Sequence, residues 1–228
     1  YDEQNRLNYP LFANHYRRGN PSQALTSFKR LTIRNSGTNW KTQLFIDAFA
    51  QESIKHLDMD ILSFSPTILF LNSEYWGVMN IRERLDQHYL KDHYDIDEQD
   101  AVIIKGNSGG LNYGIASDSL EYNSLRNFIH FEDMSTPANM DSAMHLMDIE
   151  NFAKLFMLQI YINNSDWLSN NRKCWRKRTN YTAQAPYGQD GRFRWFVFDL
   201  DHGFKLQHED RLNIIMSNNG GETRIFRG

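Results

Sequence analysis

The sequence predicts an α+β fold, and three observations carry that prediction. Strand-like and helix-like segments follow one another irregularly, without the repeating strand–helix alternation of a parallel sheet. Residues 149–162 are apolar around nearly the whole helical circumference (Ile149, Phe152, Leu155, Phe156, Ile160, Ile162), the signature of a buried helix. Residues 192–199 alternate Phe193, Trp195 and Val197 with Phe196 and Phe198, so both faces of that strand are apolar and a central place in a sheet is expected. A chain of 228 residues, 40% of them hydrophobic, can bury a core of this kind as one domain.

In chain order, residues 1–23 are polar and broken by Pro10, Gly19 and Pro21, and are expected to wrap the surface. Phe28–Arg34 alternates as a strand, and Asn35-Ser36-Gly37 is a turn. Thr38 or Asn39 caps a predicted helix over about 40–56. Thr67–Leu71 and Tyr75–Ile81 form a hairpin around Asn72-Ser73-Glu74, with Trp76 and Val78 on one face. A helix follows, ending near His93, then a buried strand over Ala101–Lys105 and a loose glycine-rich loop to Gly114. Helices are predicted over 119–130 and 138–147, and Asp148 caps the buried helix. Lys173–Lys177 reads as a strand, and residues 207–228 as a polar periphery.

Composition excludes several classes. A net charge of −3 offers no basic footprint for nucleic acid or an anionic membrane. No apolar run approaches the ~20 residues of a membrane helix. The single cysteine, Cys174, rules out an internal disulfide framework or a cysteine-rich zinc site, and the eight histidines show no metal-ligand spacing. Starting at Tyr1 without an initiator Met and stopping at Arg227-Gly228, the sequence is expected to be a piece of a longer protein, truncated at both ends.

The chemistry concentrates in Asn163–Asn171 and Asp199-Leu200-Asp201, at the ends of the buried helix and the apolar strand. Asp166 and Asn171 have the Asp-x-x-x-x-Asn spacing of a phosphoryl-transfer catalytic loop, where the Asp orients or deprotonates a hydroxyl and the Asn holds Mg²⁺. Asp199 supplies the main metal carboxylate and Asp201 completes the shell, since Mg²⁺ takes oxygen ligands. Taken alone, the spacing is common and Asp166 would read as a loop residue closing an Asx turn; the helix before it and the Asp-x-Asp after it favour the catalytic reading. Asp-x-Asp also serves nucleotide-sugar glycosyltransferases, and a two-carboxylate glycosidase stays open. The glycine-rich 106–114 loop lacks the Gly-Lys-Ser/Thr ending of a phosphate loop, and Lys105 reads as a solvated strand end. Arg172, Lys173, Arg176, Lys177 and Arg178 read as a solvated strand face, or as an attractor for an acidic substrate. Glu83, between Arg82 and Arg84, is either a surface ion pair or a polar contact to nucleotide. Glu52 is the positional candidate to pair a phosphate-holding lysine, which the sequence does not identify.

These residues resemble a known family. The segments 31–37 (LTIRNSG), 45–51 (FIDAFAQ), 69–86 (LFLNSEYWGVMNIRERLD), 163–167 with Asn170 and Asn171, and 195–201 (WFVFDLD) are similar to the spore-coat protein H (CotH) kinase family, across most of residues 28–205. The resemblance implies an atypical, two-lobed protein-kinase-like fold, with about 28–95 as the small-lobe part and about 96–228 as the helical part. It implies a secreted or cell-surface enzyme that uses ATP and Mg²⁺ or Mn²⁺ to phosphorylate Ser or Thr of a protein substrate. By position Asp166 matches the catalytic Asp and Asp199 the metal Asp, with Asn171 and Asp201 as companions; Arg34 and Glu83 match positions loosely tied to the nucleotide. The family's earlier segment, with an Arg-Gly turn and a Lys-rich strand, precedes Tyr1, so part of the ATP clamp is expected to lie outside this sequence. Transfer of AMP, and a non-catalytic coat or surface binding protein, are the alternatives.

Overall fold

The computed structural model describes residues 5–106, 109–167, 170–205, 208–217, 223 and 225. Over these it is a mixed α+β structure of six helices and small antiparallel sheets. The first residues wrap the body through short ladders: β1 (Leu7–Asn8) on β4 (Ser27–Phe28), and β2 (Tyr16–Arg17) on β3 (Asn20–Ala24). Phe12, Leu25 and Phe28 give this wrap its own small core.

A three-stranded sheet follows, in the order β5 (Leu31–Arg34), β7 (Glu74–Glu83), β6 (Phe64–Leu71). The hairpin is longer at both roots than expected. Its two-residue turn places Asn72 and Ser73 at φ 50° and 68°, the left-handed pair that matches strand twist. Register sets Arg34 opposite Asn80 and Thr32 opposite Arg82, so the two arginines share one face. That face meets α1 (Ile46–Ser53).

Helix α1 is half the length the periodicity predicts. Asn39 does not cap it, because its side chain is buried and donates to the Asp201 carbonyl. Its own carbonyl instead accepts from Thr42 and Gln43 N–H, which closes turns before the helix starts. Helix α2 (Gln87–Tyr94) is capped by Asp86, whose carboxylate accepts from the N–H groups of His88 and Tyr89.

The second sheet has the order β11 (Arg194–Trp195), β10 (Lys173–Lys177), β8 (Ala101–Lys105), β9 (Gly110–Tyr113). Residues 110–113 are therefore a strand paired with β8, where the sequence led us to expect loop; Asn107 and Ser108 lie outside the described residues. The sheet divides the core. Val102, Ile104, Cys174 and Trp195 join the larger cluster with α3 (Ala116–Phe131), α4 (Pro137–Leu146) and α5 (Ile149–Tyr161). Ala101, Ile103, Trp175 and Phe196 join the cluster under α2. That division is why residues 193–197 are apolar on both faces although β11 is an edge strand and not a central one. Its outer side is covered by α5, through a bond from Trp195 N–H to the Asn151 side chain. Helix α6 (Arg211–Ser217) is not simply peripheral, since Ile215 is fully buried in the large cluster.

Asp148 caps α5, accepting from Asn151 N–H at 3.1 Å, and its second oxygen accepts from Arg194 at 3.0 Å. Arg194 also forks onto Asp190 with two 2.7 Å bonds, so this wholly buried cation is answered by two carboxylates. The basic run on β10 is likewise not a solvated face. Arg176 is buried and pairs with Glu121, and Arg178 pairs with Asp118. Lys105 is exposed, as expected.

Candidate functional site

Helix α5 delivers the polar loop. Asn164, fully buried, donates to the Gln159 side chain at 2.9 Å and accepts from Asp166 N–H at 3.2 Å. Trp167 is 2% exposed and meets the Phe156 ring edge-on at 4.7 Å. These anchors bracket Asp166, which is half-buried and so reachable. Its carboxylate accepts from both carboxamides that follow, Asn170 at 2.8 Å and Asn171 at 2.7 Å. The Asp-x-x-x-x-Asn spacing thus closes on itself: Asn171, at φ 57°, is turned back toward Asp166. Leu168 and Ser169 lie outside the described residues.

The acidic turn packs on this loop. Ser165 N–H bonds to the His202 carbonyl at 3.4 Å, and Phe204 N–H to the Ile162 carbonyl at 2.6 Å. Asp199 itself has φ 57°, a left-handed conformation that an aspartate adopts at some cost. Leu200 is fully buried beneath it.

The β5–α1 segment grips the turn from the other side. Arg34 donates to Asp199 Oδ1; burial opposes the guanidinium charge, and the bonded Asp199 with nearby Asp47 and Asp201 more than restores it, raising the Arg34 pKa. Gly37, at φ 61°, lies so close that a Cβ there would come within 2.5 Å of Asp201 Oδ2 and 3.0 Å of Arg34 Nη2. Glycine at 37 therefore leaves room for the Arg34 and Asp201 side chains, which a Cβ there would crowd. Asp47, on the first turn of α1, accepts from Leu200 N–H at 2.6 Å, from Gln51 at 2.9 Å, and from Arg82. Burial pushes the Asp47 pKa up, but Arg82 and these donors hold it below the usual carboxylate range.

Of the sequence-derived residues, Asp166 and Asn171 are bonded to one another and Arg34 is bonded to Asp199, while Asp201 adjoins Gly37 two residues further on. Glu52 does not join them. It is exposed on the far side of α1 and pairs with Lys55 at 2.9 Å. Glu83 is also elsewhere, and it is no surface ion pair. Its carboxylate, 5% exposed, accepts from His93 at 2.8 Å, His15 at 3.1 Å and Ser63 N–H at 3.1 Å. Sequence reasoning did not assign Asp47, Asn39 and Arg82 to the site, although Asp47 and Arg82 lie in segments that carry the family resemblance.

His15, Glu83 and His93 offer metal-ligand atoms within 4.8 Å of one another, the one such group of three among the described residues. The hydrogen bonds argue against a metal there. His93 Nδ1 accepts from Arg18 N–H at 3.1 Å, so its proton sits on Nε2, facing Glu83. A metal on Nε2 would move that proton to Nδ1, against another donor. The oxygen atoms of Asp199 and Asn171 are of the kind that a hard cation takes. Cavities do not locate the site either. One of about 520 Å³, lined by Arg18, Asp58, Asp148, Lys154 and Tyr187, lies at the opposite end of α5 from Asp166, and a larger one of about 830 Å³ is lined by Glu121, His145, Arg176 and Tyr181. Among the described residues no helix is long and apolar enough to cross a membrane.

The family model described as CotH kinase protein matches residues 3–226 of the chain. No curated protein matches it.

Proposed function

We propose that this chain, which belongs to the CotH kinase family, transfers the γ-phosphoryl group of ATP to a Ser or Thr hydroxyl of a protein substrate with the help of Mg²⁺ or Mn²⁺. The observation that carries the reading is the paired fixation of Asp166: two carboxamides aim a reachable carboxylate from a loop anchored by buried Asn164 and Trp167. Phosphoryl transfer asks little covalent chemistry of the protein, and mostly positioning and charge neutralisation. In this reading Asp166 accepts a hydrogen bond from the attacking hydroxyl, holds it in line, and takes its proton as the new oxygen–phosphorus bond forms and the bond from the γ-phosphorus to the bridging oxygen breaks, releasing ADP. Asn171 donates with its amide nitrogen to Asp166, which leaves its carbonyl oxygen for a cation. Asp199, through the oxygen Arg34 does not engage, and Asp201 supply the carboxylates. Bound there, the cation would neutralise phosphate charge. Arg34 stands beside them as a second positive group for phosphate oxygens, the part assigned to a lysine in other kinases.

The donor set fits a hard cation: carboxylates and a carboxamide, with no sulfur or imidazole. The order of strand, helix, hairpin, then helices and polar loop supports a two-lobed arrangement with the division near residue 95. Glu83 and Glu52 have no part in it. The family's spore-coat association supports a secreted or surface location.

The test is mass spectrometry after incubation with ATP and Mn²⁺ or Mg²⁺, alone and with added protein. Expected is a phosphate on Ser or Thr, lost in Asp166→Asn while that variant still folds and melts cooperatively. An AMP adduct, or equal modification by Asp166→Asn, would contradict the proposal.

A further inference from the structure

The three residues of the acidic turn are each gripped from one short segment of chain. Arg34 holds the Asp199 carboxylate, Asp47 holds the Leu200 N–H, and Asn39 holds the Asp201 carbonyl. Asp47 differs from the other two because its carboxylate takes three donors and is shut away at 7% exposure. Oδ1 accepts from Leu200 N–H and Gln51, and Oδ2 from Arg82. Gln51 in turn accepts from Leu62 N–H at 2.7 Å, so α1, β7, the chain before β6 and the acidic turn all meet at one carboxylate. Arg82, 4% exposed, finds no bond for its Nε and Nη2 among the described residues, which leaves Asp47 to answer its charge.

We infer that Asp47 is a positioning residue for the cation site: by holding the Leu200 N–H it keeps Asp199 in its left-handed conformation, and the Arg82 pair keeps Asp47 in place. This rests on the reading that Asp199 holds the cation. The link is physical. An aspartate at φ 57° relaxes toward negative φ unless its neighbours are fixed, and that rotation swings its carboxylate. The peptide N–H immediately after Asp199 is the bond that resists it. Only a carboxylate serves all three donors; an asparagine at 47 turns an NH₂ toward either Arg82 or the Leu200 and Gln51 N–H groups. Asp47 touches neither substrate nor cation, so it acts through Asp199. Displacement of α1 would carry the Leu200 N–H with it, and binding at the acids is thereby coupled to the position of a helix on the three-stranded sheet.

The experiment is calorimetric titration of the chain with ATP, with and without Mn²⁺, well below the melting temperature, for the native protein, Asp47→Ala and Asp47→Asn. The quantity compared is the ratio of ATP affinities with and without the ion. We expect that ratio to fall about tenfold or more in Asp47→Ala, the loss of a hydrogen bond to a charged acceptor, and less in Asp47→Asn. The Leu200 amide should also exchange with deuterium faster in both unliganded variants. A merely structural role would lower the melting temperature and leave the ratio unmoved. Should Asp47→Ala not fold, the isosteric Asp47→Asn carries the comparison. Variants that keep the native ratio overturn the inference alone. A native protein whose ATP affinity ignores Mn²⁺ overturns both it and the reading on which it rests.

Discussion

Replacing Glu83 by glutamine should destabilise the protein without touching the chemistry. The carboxylate is buried and accepts three hydrogen bonds, from His15, His93 and Ser63 N–H. Two of those donors cannot turn away. Ser63 offers a backbone N–H, and the His93 proton is fixed on Nε2 by the Arg18 N–H at its other nitrogen. Whichever way a glutamine amide is placed, its NH₂ faces one of them. A buried unsatisfied donor costs ~1–3 kcal/mol, and with the lost charge about 2–3 kcal/mol is expected. At ~2–4 °C per kcal/mol for a chain of this length, the melting temperature should fall by roughly 4–12 °C by circular dichroism. The pH dependence follows from the same geometry. Burial pushes the Glu83 pKa up, but the two imidazoles hold it far below the ordinary range. A carboxylate depressed on folding contributes stability above its unfolded value, about 4.3, and loses it as pH falls from there toward the folded value. The native protein should therefore lose stability on acidification below about pH 5 more steeply than Glu83→Gln. An unchanged melting temperature with weakened ATP binding would refute this and return Glu83 to the nucleotide.

Other outcomes follow from single residues. Ser73→Gly removes a left-handed non-glycine from the hairpin turn and should raise the melting temperature by up to ~2–4 °C, from about 1 kcal/mol. Asp148→Ala removes the α5 cap and one of the two carboxylates on Arg194, for about 3 kcal/mol in urea unfolding. A loss near that of a surface cap, under about 1 kcal/mol, would mean Asp190 alone suffices for Arg194.

What the sequence reveals, and what it hides, divides by the range of the interactions. Local patterns are legible: β8, α5 and its Asp148 cap, and the hairpin all stand where periodicity and turn residues put them. The 40–56 helix shortens because Asn39, a good cap by type, is drawn 162 residues along the chain to Asp201. Residues 193–197 look central because both faces are covered, but the outer edge of β11 is closed by a helix and not by another strand. For the candidate site, the Asp166–Asn171 pairing follows from spacing, and family resemblance marks Arg34. Asp47 and Arg82 become visible only once α1 is laid against the sheet. Glu83 misleads because its neighbours in sequence are arginines while its partners in space are histidines from elsewhere.

The central claim, a cation-dependent nucleotide site at Asp199, is most directly tested by thermal melts of the chain with ATP, with and without Mg²⁺ or Mn²⁺, beside Asp199→Ala. Ligand at 100 times its dissociation constant stabilises by ~2.7 kcal/mol, roughly 5–10 °C for this length. The account predicts a shift of that size that needs the ion and vanishes in Asp199→Ala; a shift indifferent to the ion, or retained by Asp199→Ala, would contradict it.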